Sequence, residues 1–109
     1  AVSIDDVFDK KMKALDALES QVYEGGAGGS PQTLIQRKAH DPVARMEILK
    51  ASWTGRNGRI ADLFRDSLVK WYGAKKGKAM KTAEAFEICE YGRRPSEAEL
   101  KELFPFFTK

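Results

Sequence analysis

Apolar residues recur at intervals of three and four over the first part of the chain, where Ile4, Val7, Phe8, Met12, Leu15, Leu18 and Val22 fall near one face. That pattern predicts an amphipathic helix over residues 7–24, with Ser3 as N-cap and Asp5 and Asp6 in its first turn, where carboxylates favour the helix dipole. The run GGAGGS at 25–30 has no side chain to pack and reads as a Gly-rich loop. Ser30-Pro31 then opens a short helix reaching about Ala39, and Asp41-Pro42 opens another reaching about Trp53. Residues 55–58, GRNG, are expected to separate it from the clearest helix of the chain. There Ile60, Leu63, Phe64, Leu68, Trp71 and Tyr72 form a stripe opposite Arg59, Asp62, Arg65, Asp66 and Lys70, and Gly73 supplies the stop.

Beyond Gly73 the periodicity fades. Residues 73–82 read as a basic connector rich in lysine. Residues 83–91, AEAFEICEY, stay open between a helix, suggested by Glu84, Glu87 and Glu90, and a short strand, suggested by the Phe86 to Cys89 core and Gly92. Ser96 and Glu99 have capping-box spacing for a last helix ending at Phe104-Pro105, with Phe106 and Phe107 as anchors. The fold class expected is mainly α, four to five helices with at most one short strand.

Composition narrows the class. A chain of 109 residues with 42% apolar content can fill one core, so 1–109 is expected to be a single unit. Its one cysteine, Cys89, excludes an intramolecular disulfide and fits a reducing, cytoplasmic setting, although a removed targeting segment stays open. No run approaches the roughly 18 apolar residues of a membrane span, so no membrane partner is expected. Net charge of +3 conceals a division: residues 25–82 carry twelve bases and four acids, between two ends that are each acidic. Arg56, Arg59, Arg65 and Lys70 are expected to form a solvated face or to pair with those ends.

Catalytic chemistry is thinly supplied. His40 is the only histidine and sits at a helix boundary; Cys89 has no partner at metal-ligand spacing, and no His-x-x-His pair occurs. Ser20 and Ser96 lack a nucleophile-elbow setting, and the pairs Asp5 with Asp6 and Glu97 with Glu99 read as helix-start charges. No catalytic residue and no metal ligand is therefore assigned, and no cofactor is expected to bind this chain alone.

Two stretches carry a resemblance that covers much of the chain. Asp6-Val7-Phe8-Asp9-Lys10-Lys11-Met12, followed by Ala14-Leu15 and Ser20-Gln21, resembles the helix after the metal site in the LmbE-like (PIG-L) zinc-dependent de-N-acetylases of N-acetylglucosamine-type sugars. The second, AEAFEICEYGRRPSEAELKELFPF at 83–106, is similar to the closing segment of some members. The resemblance implies the C-terminal part of a three-layer, Rossmann-like α/β deacetylase fold, with 83–91 as a late strand of a sheet begun upstream. It implies a family reaction in which zinc-bound water, assisted by an aspartate, attacks an acetamide carbonyl. The zinc motifs of the family lie upstream of both stretches, so the implied partner is an N-terminal part, or another chain, carrying the metal site. Glu19, Ser20 and Gln21 become substrate-cleft candidates, although many members have a histidine where this chain has Leu18. Apolar surface left by a missing part would also permit a homo-oligomer.

A free-standing helical interaction or nucleic-acid-binding module is the alternative. It is motivated by Trp53, Trp71 and Tyr72 among the central Arg and Lys residues. Because these aromatics lie mainly on the apolar stripe, nucleic acid is not the expected partner.

Overall fold

The computed structural model describes residues 1–23, 25 and 42–107. Helix predominates. The elements are β1 (Val2–Ser3), a 3-10 turn (Asp5–Val7), α1 (Phe8–Asp16), α2 (Glu19–Val22), α3 (Pro42–Leu63), α4 (Arg65–Tyr72), α5 (Ala74–Ala79), β2 (Ala83–Glu84) and α6 (Glu97–Leu103). The chain divides into two compact units, one formed by 1–5 with 57–109 and the other by 6–56. Most of the expected Gly-rich loop, and the helix expected from Ser30 to Ala39, lie outside the described residues.

The first unit is built around a strand pair that periodicity did not reveal. β1 and β2 are antiparallel, with Val2 opposite Glu84 and Ser3 opposite Ala83. The Ile4 amide extends the ladder by donating to the Thr82 carbonyl at 3.1 Å. Ser3 is thus a strand residue and not a helix N-cap; α1 begins after Val7 with no side-chain cap. Asp5 does not act as a helix-start charge. Its carboxylate accepts from the Lys81 amide at 3.0 Å, the Thr82 amide at 2.7 Å and the Thr82 hydroxyl at 2.6 Å. Burial alone would raise its pKa, but the Thr82 hydroxyl and the two amides together hold it below the ordinary carboxylate range. Behind the sheet, the buried Asn57 amide donates to the Ala83 carbonyl at 3.0 Å.

These strands are only two residues long, and their stability rests on tertiary packing rather than on the ladder. Ala61, Leu68, Tyr72, Ala83 and Phe107 form the buried cluster, flanked by Val2, Ile60, Trp71, Met80 and Phe104. Phe107 stacks on Trp71 at 4.8 Å between centroids and meets Tyr72 edge-on at 5.4 Å. It is the anchor expected from the sequence. Phe106 contacts Tyr72 and Phe104 but stays half exposed.

α4 ends at Gly73, as its position suggested, with φ +80° and ψ 157°, a conformation open to glycine and costly to other residues. The stretch expected to be a connector instead holds α5. Gly77 explains the difference, because a β-carbon there would lie 2.6 Å from the Leu68 carbonyl oxygen and from the Val69 nitrogen and α-carbon. Backbone therefore packs directly on backbone, a contact only glycine allows. The C-terminal carbonyls of α5 are capped by Arg65, which donates to Gly77 O at 2.8 Å and to Met80 O at 2.6 Å. A cation at this end also suits the helix dipole.

α6 begins with the expected capping box. Ser96 Oγ accepts from the Glu99 amide, and the Glu99 carboxylate accepts from the Ser96 amide at 2.8 Å. Lys70 pairs with Glu97, joining a basic central residue to the acidic end. Between β2 and α6 the open choice over 83–91 resolves into two strand residues followed by irregular chain, with Phe86, Ile88 and Tyr91 exposed.

In the second unit, the long helix expected over 7–24 is divided. At Leu18 the backbone turns to ψ 59°, the Leu18 amide bonds back to Leu15 in a tightened last turn, and α2 restarts at Glu19. α3 meanwhile runs through GRNG without a break, reaching Leu63 and stopping at Phe64. Gly55 and Gly58 cost helix propensity, roughly 1 kcal/mol each, but do not forbid helix. Among the described residues no helix is long and apolar enough to cross a membrane.

Candidate ligand cleft

The second unit contains a cleft of about 310 Å³ between the end of α2 and one face of α3. Arg45, Ile48, Leu49, Ser52, Trp53 and Arg56 follow the three-and-four spacing that brings residues of a helix onto one side. Gln21, Val22 and Tyr23 form the opposing wall. Leu49 is buried, whereas Ile48, Ser52 and Arg56 reach solvent.

A polar network holds the α2 wall in place. Asp16 accepts from the Tyr23 hydroxyl at 2.6 Å and from Arg45 Nε at 3.1 Å. Arg45 also bridges to Glu19 at 3.0 Å, and its guanidinium lies over the Tyr23 ring at 4.5 Å. These bonds tie residues 19–23 to α3 beyond the break at Leu18. Burial, followed by the hydrogen bond to Asp16, pushes the Tyr23 phenol up to about 12. The hydrogen bond to Glu19 raises the Arg45 pKa, so the guanidinium keeps its charge throughout.

The other end of the cleft is different. Arg56 lies over the Trp53 ring at 5.0 Å, and Lys11 approaches the same ring at 4.5 Å. Among the described residues, the side-chain interaction that Arg56 makes is with this aromatic ring and not with a carboxylate. Lys50, nearly two turns before Arg56, is paired with Asp9 at 2.8 Å.

Of the three residues singled out from the sequence, Gln21 lines the cleft, Glu19 stands behind its wall on Arg45, and Ser20 is exposed without lining it. Arg45, Ser52, Trp53 and Arg56 were not assigned to a site, although their spacing on a single helix face was visible. What concealed them was the expected break at GRNG, which removes Arg56 from the helix that carries the others. Cys89 is exposed, His40 lies outside the described residues, and Glu97 and Glu99 are the helix-start charges expected. Among the described residues, no group of three or more His, Cys, Asp or Glu side chains could hold a metal ion. These features describe a mainly helical protein with a small cleft that bears two arginines. No family model, curated protein or solved structure matches the chain.

Proposed function

We propose that this chain is the C-terminal portion of an LmbE-like (PIG-L) zinc-dependent de-N-acetylase of N-acetylglucosamine-type sugars, and that it supplies one wall of the substrate cleft. The observation that carries the reading is the placement of Gln21. The Ser20-Gln21 pair closes the first stretch resembling that family, and Gln21 opens onto the cleft together with Val22 and Tyr23. The described residues do not fit a zinc site, so the metal and the hydrolytic step belong to a part outside them, either upstream in the same protein or on a partner chain.

The second stretch bears on the reading through its exposed apolar side chains, since β2 itself finds its partner in β1 of this chain. β2 begins at Ala83 of AEAF, and the residues that follow expose Phe86 at 65% and Tyr91 at 97%. Under the proposal these side chains are covered by the upstream part of a Rossmann-like α/β fold, which explains why so much apolar surface faces solvent here. The nucleic-acid alternative draws less support. Trp71 and Tyr72, two of its three stacking candidates, are engaged with Phe106 and Phe107.

The test is to express the chain together with its upstream coding sequence and to measure bound zinc and acetate release from an N-acetylglucosamine-bearing substrate. The proposal expects stoichiometric zinc and zinc-dependent acetate release from the longer product, and neither from residues 1–109 alone. An upstream sequence without a His-Pro-Asp-Asp-type motif, giving a product that releases no acetate, would overturn it.

A further inference from the structure

The distribution of charge around the cleft identifies a class of ligand. Arg45 is matched by Asp16 at 3.1 Å and Glu19 at 3.0 Å, so its charge is already compensated at that end. At the Trp53 end the Arg56 guanidinium faces solvent with an aromatic face as its partner, so its N–H groups are available to a charged acceptor. Val22, Ile48 and Leu49 supply an apolar floor between them, and Gln21 and Ser52 add hydrogen-bonding groups. The volume, about 310 Å³, stands at the small end of ligand pockets and suits a molecule of one ring.

We propose that this cleft binds a monosaccharide bearing an anionic group, with Arg56 as the counter-charge for that group. Trp53 holds the guanidinium at the mouth, the C–H face of the sugar lies on Val22, Ile48 and Leu49, and its hydroxyls meet Gln21 and Ser52. A planar guanidinium binds phosphate or carboxylate through paired hydrogen bonds, which a neutral sugar cannot return. The choice of an N-acetylglucosamine body rests on the deacetylase reading; the requirement for an anion rests on Arg56 alone.

The experiment is calorimetric titration of the 109-residue chain with N-acetylglucosamine 6-phosphate, N-acetylglucosamine and inorganic phosphate, without added metal. The sugar phosphate is expected to bind about tenfold or more tightly than either of the others, the increment of a charge-assisted hydrogen bond. Arg56→Gln, an exposed substitution whose melting curve should match the parent, is expected to reduce the sugar phosphate to the level of the neutral sugar. Equal binding of inorganic phosphate would mean an exposed anion contact only and would overturn the proposal. So would equal binding of the neutral sugar, an unchanged affinity in Arg56→Gln, or no heat with any probe. Zinc-dependent acetate release from a neutral substrate is measured separately, so either reading can fail while the other stands.

Discussion

Replacing Gly77 by alanine tests the close packing of α4 and α5 most directly. The added β-carbon would stand 2.6 Å from three backbone atoms of Leu68 and Val69, where carbon contacts ordinarily lie at about 3.5–4.0 Å. A flexible side chain could move aside, but these atoms belong to a helix backbone, so α5 itself must withdraw by about 1 Å. Such overpacking costs about 1–3 kcal/mol. The withdrawal also stretches the two hydrogen bonds from Arg65 to Gly77 O and Met80 O, each to a charged donor and worth about 1.5–3 kcal/mol when intact. Alanine returns about 1 kcal/mol through its better helix propensity. The net expectation is a loss of about 2–3 kcal/mol, seen as a fall in melting temperature on the order of 10 °C by circular dichroism. Gly55→Ala is the matched control. That glycine lies within α3, and a β-carbon there meets nothing within 4 Å, so propensity alone should stabilise by about 0.5–1 kcal/mol. Equal behaviour of the two variants would refute the close approach of α5 to α4.

Asn57→Ala should lower the urea midpoint by the equivalent of about 1–3 kcal/mol, because it leaves the Ala83 carbonyl buried without its donor; a change within error would show that water replaces the amide. Asp5 has a folded pKa below its unfolded value, so its contribution is complete above the unfolded pKa of about 3.9 and disappears as pH falls through the folded one. Asp5→Asn should therefore destabilise by roughly 1 kcal/mol near neutrality and flatten the acid limb of a stability profile, whereas parallel profiles would exclude the clamp on residues 81–82. Tyr23 has a raised folded pKa, so its contribution is present below the ordinary phenol value of about 10 and is lost as pH rises through about 12. A spectrophotometric titration should show Tyr23 and the buried Tyr72 ionising late, and Asp16→Asn should bring the Tyr23 step alone earlier; two late steps both unchanged would remove Asp16 as a contributor.

Much of the helical content was legible locally. Capping chemistry located α6 because Ser96 and Glu99 satisfy each other's backbone amides within a single turn, and Gly73 marked the end of α4 through a backbone conformation that few residues tolerate. The stripe from Ile60 to Tyr72 was visible in part: Leu68 and Tyr72 are buried and Ile60 and Trp71 pack against them, but the expected single helix breaks at Phe64, where Leu63 and Phe64 are exposed. Local signals were weaker where two readings differed by about the propensity cost of a glycine. GRNG looked like a boundary, yet it continues α3.

The features decided by tertiary structure depend on residues remote in sequence. Strands of two residues have no period to detect, and β1 exists because Thr82, Ala83 and Glu84 offer it partners some eighty positions away. Asp5 resembles a helix-start acid until the Lys81 and Thr82 amides are brought to it. α5 reads as a lysine-rich connector because the feature that orders it, the missing β-carbon of Gly77, has meaning only against the Leu68 and Val69 backbone. In the cleft, Gln21 was marked by resemblance, whereas Arg56 acquired its significance when Arg45 and Lys50 had taken the neighbouring carboxylates. Sequence alone determined the mainly helical class, the cap of α6 and the end of α4. Packing then determined which backbone groups and which charges were left to be satisfied, because those balances are struck between segments and not within them.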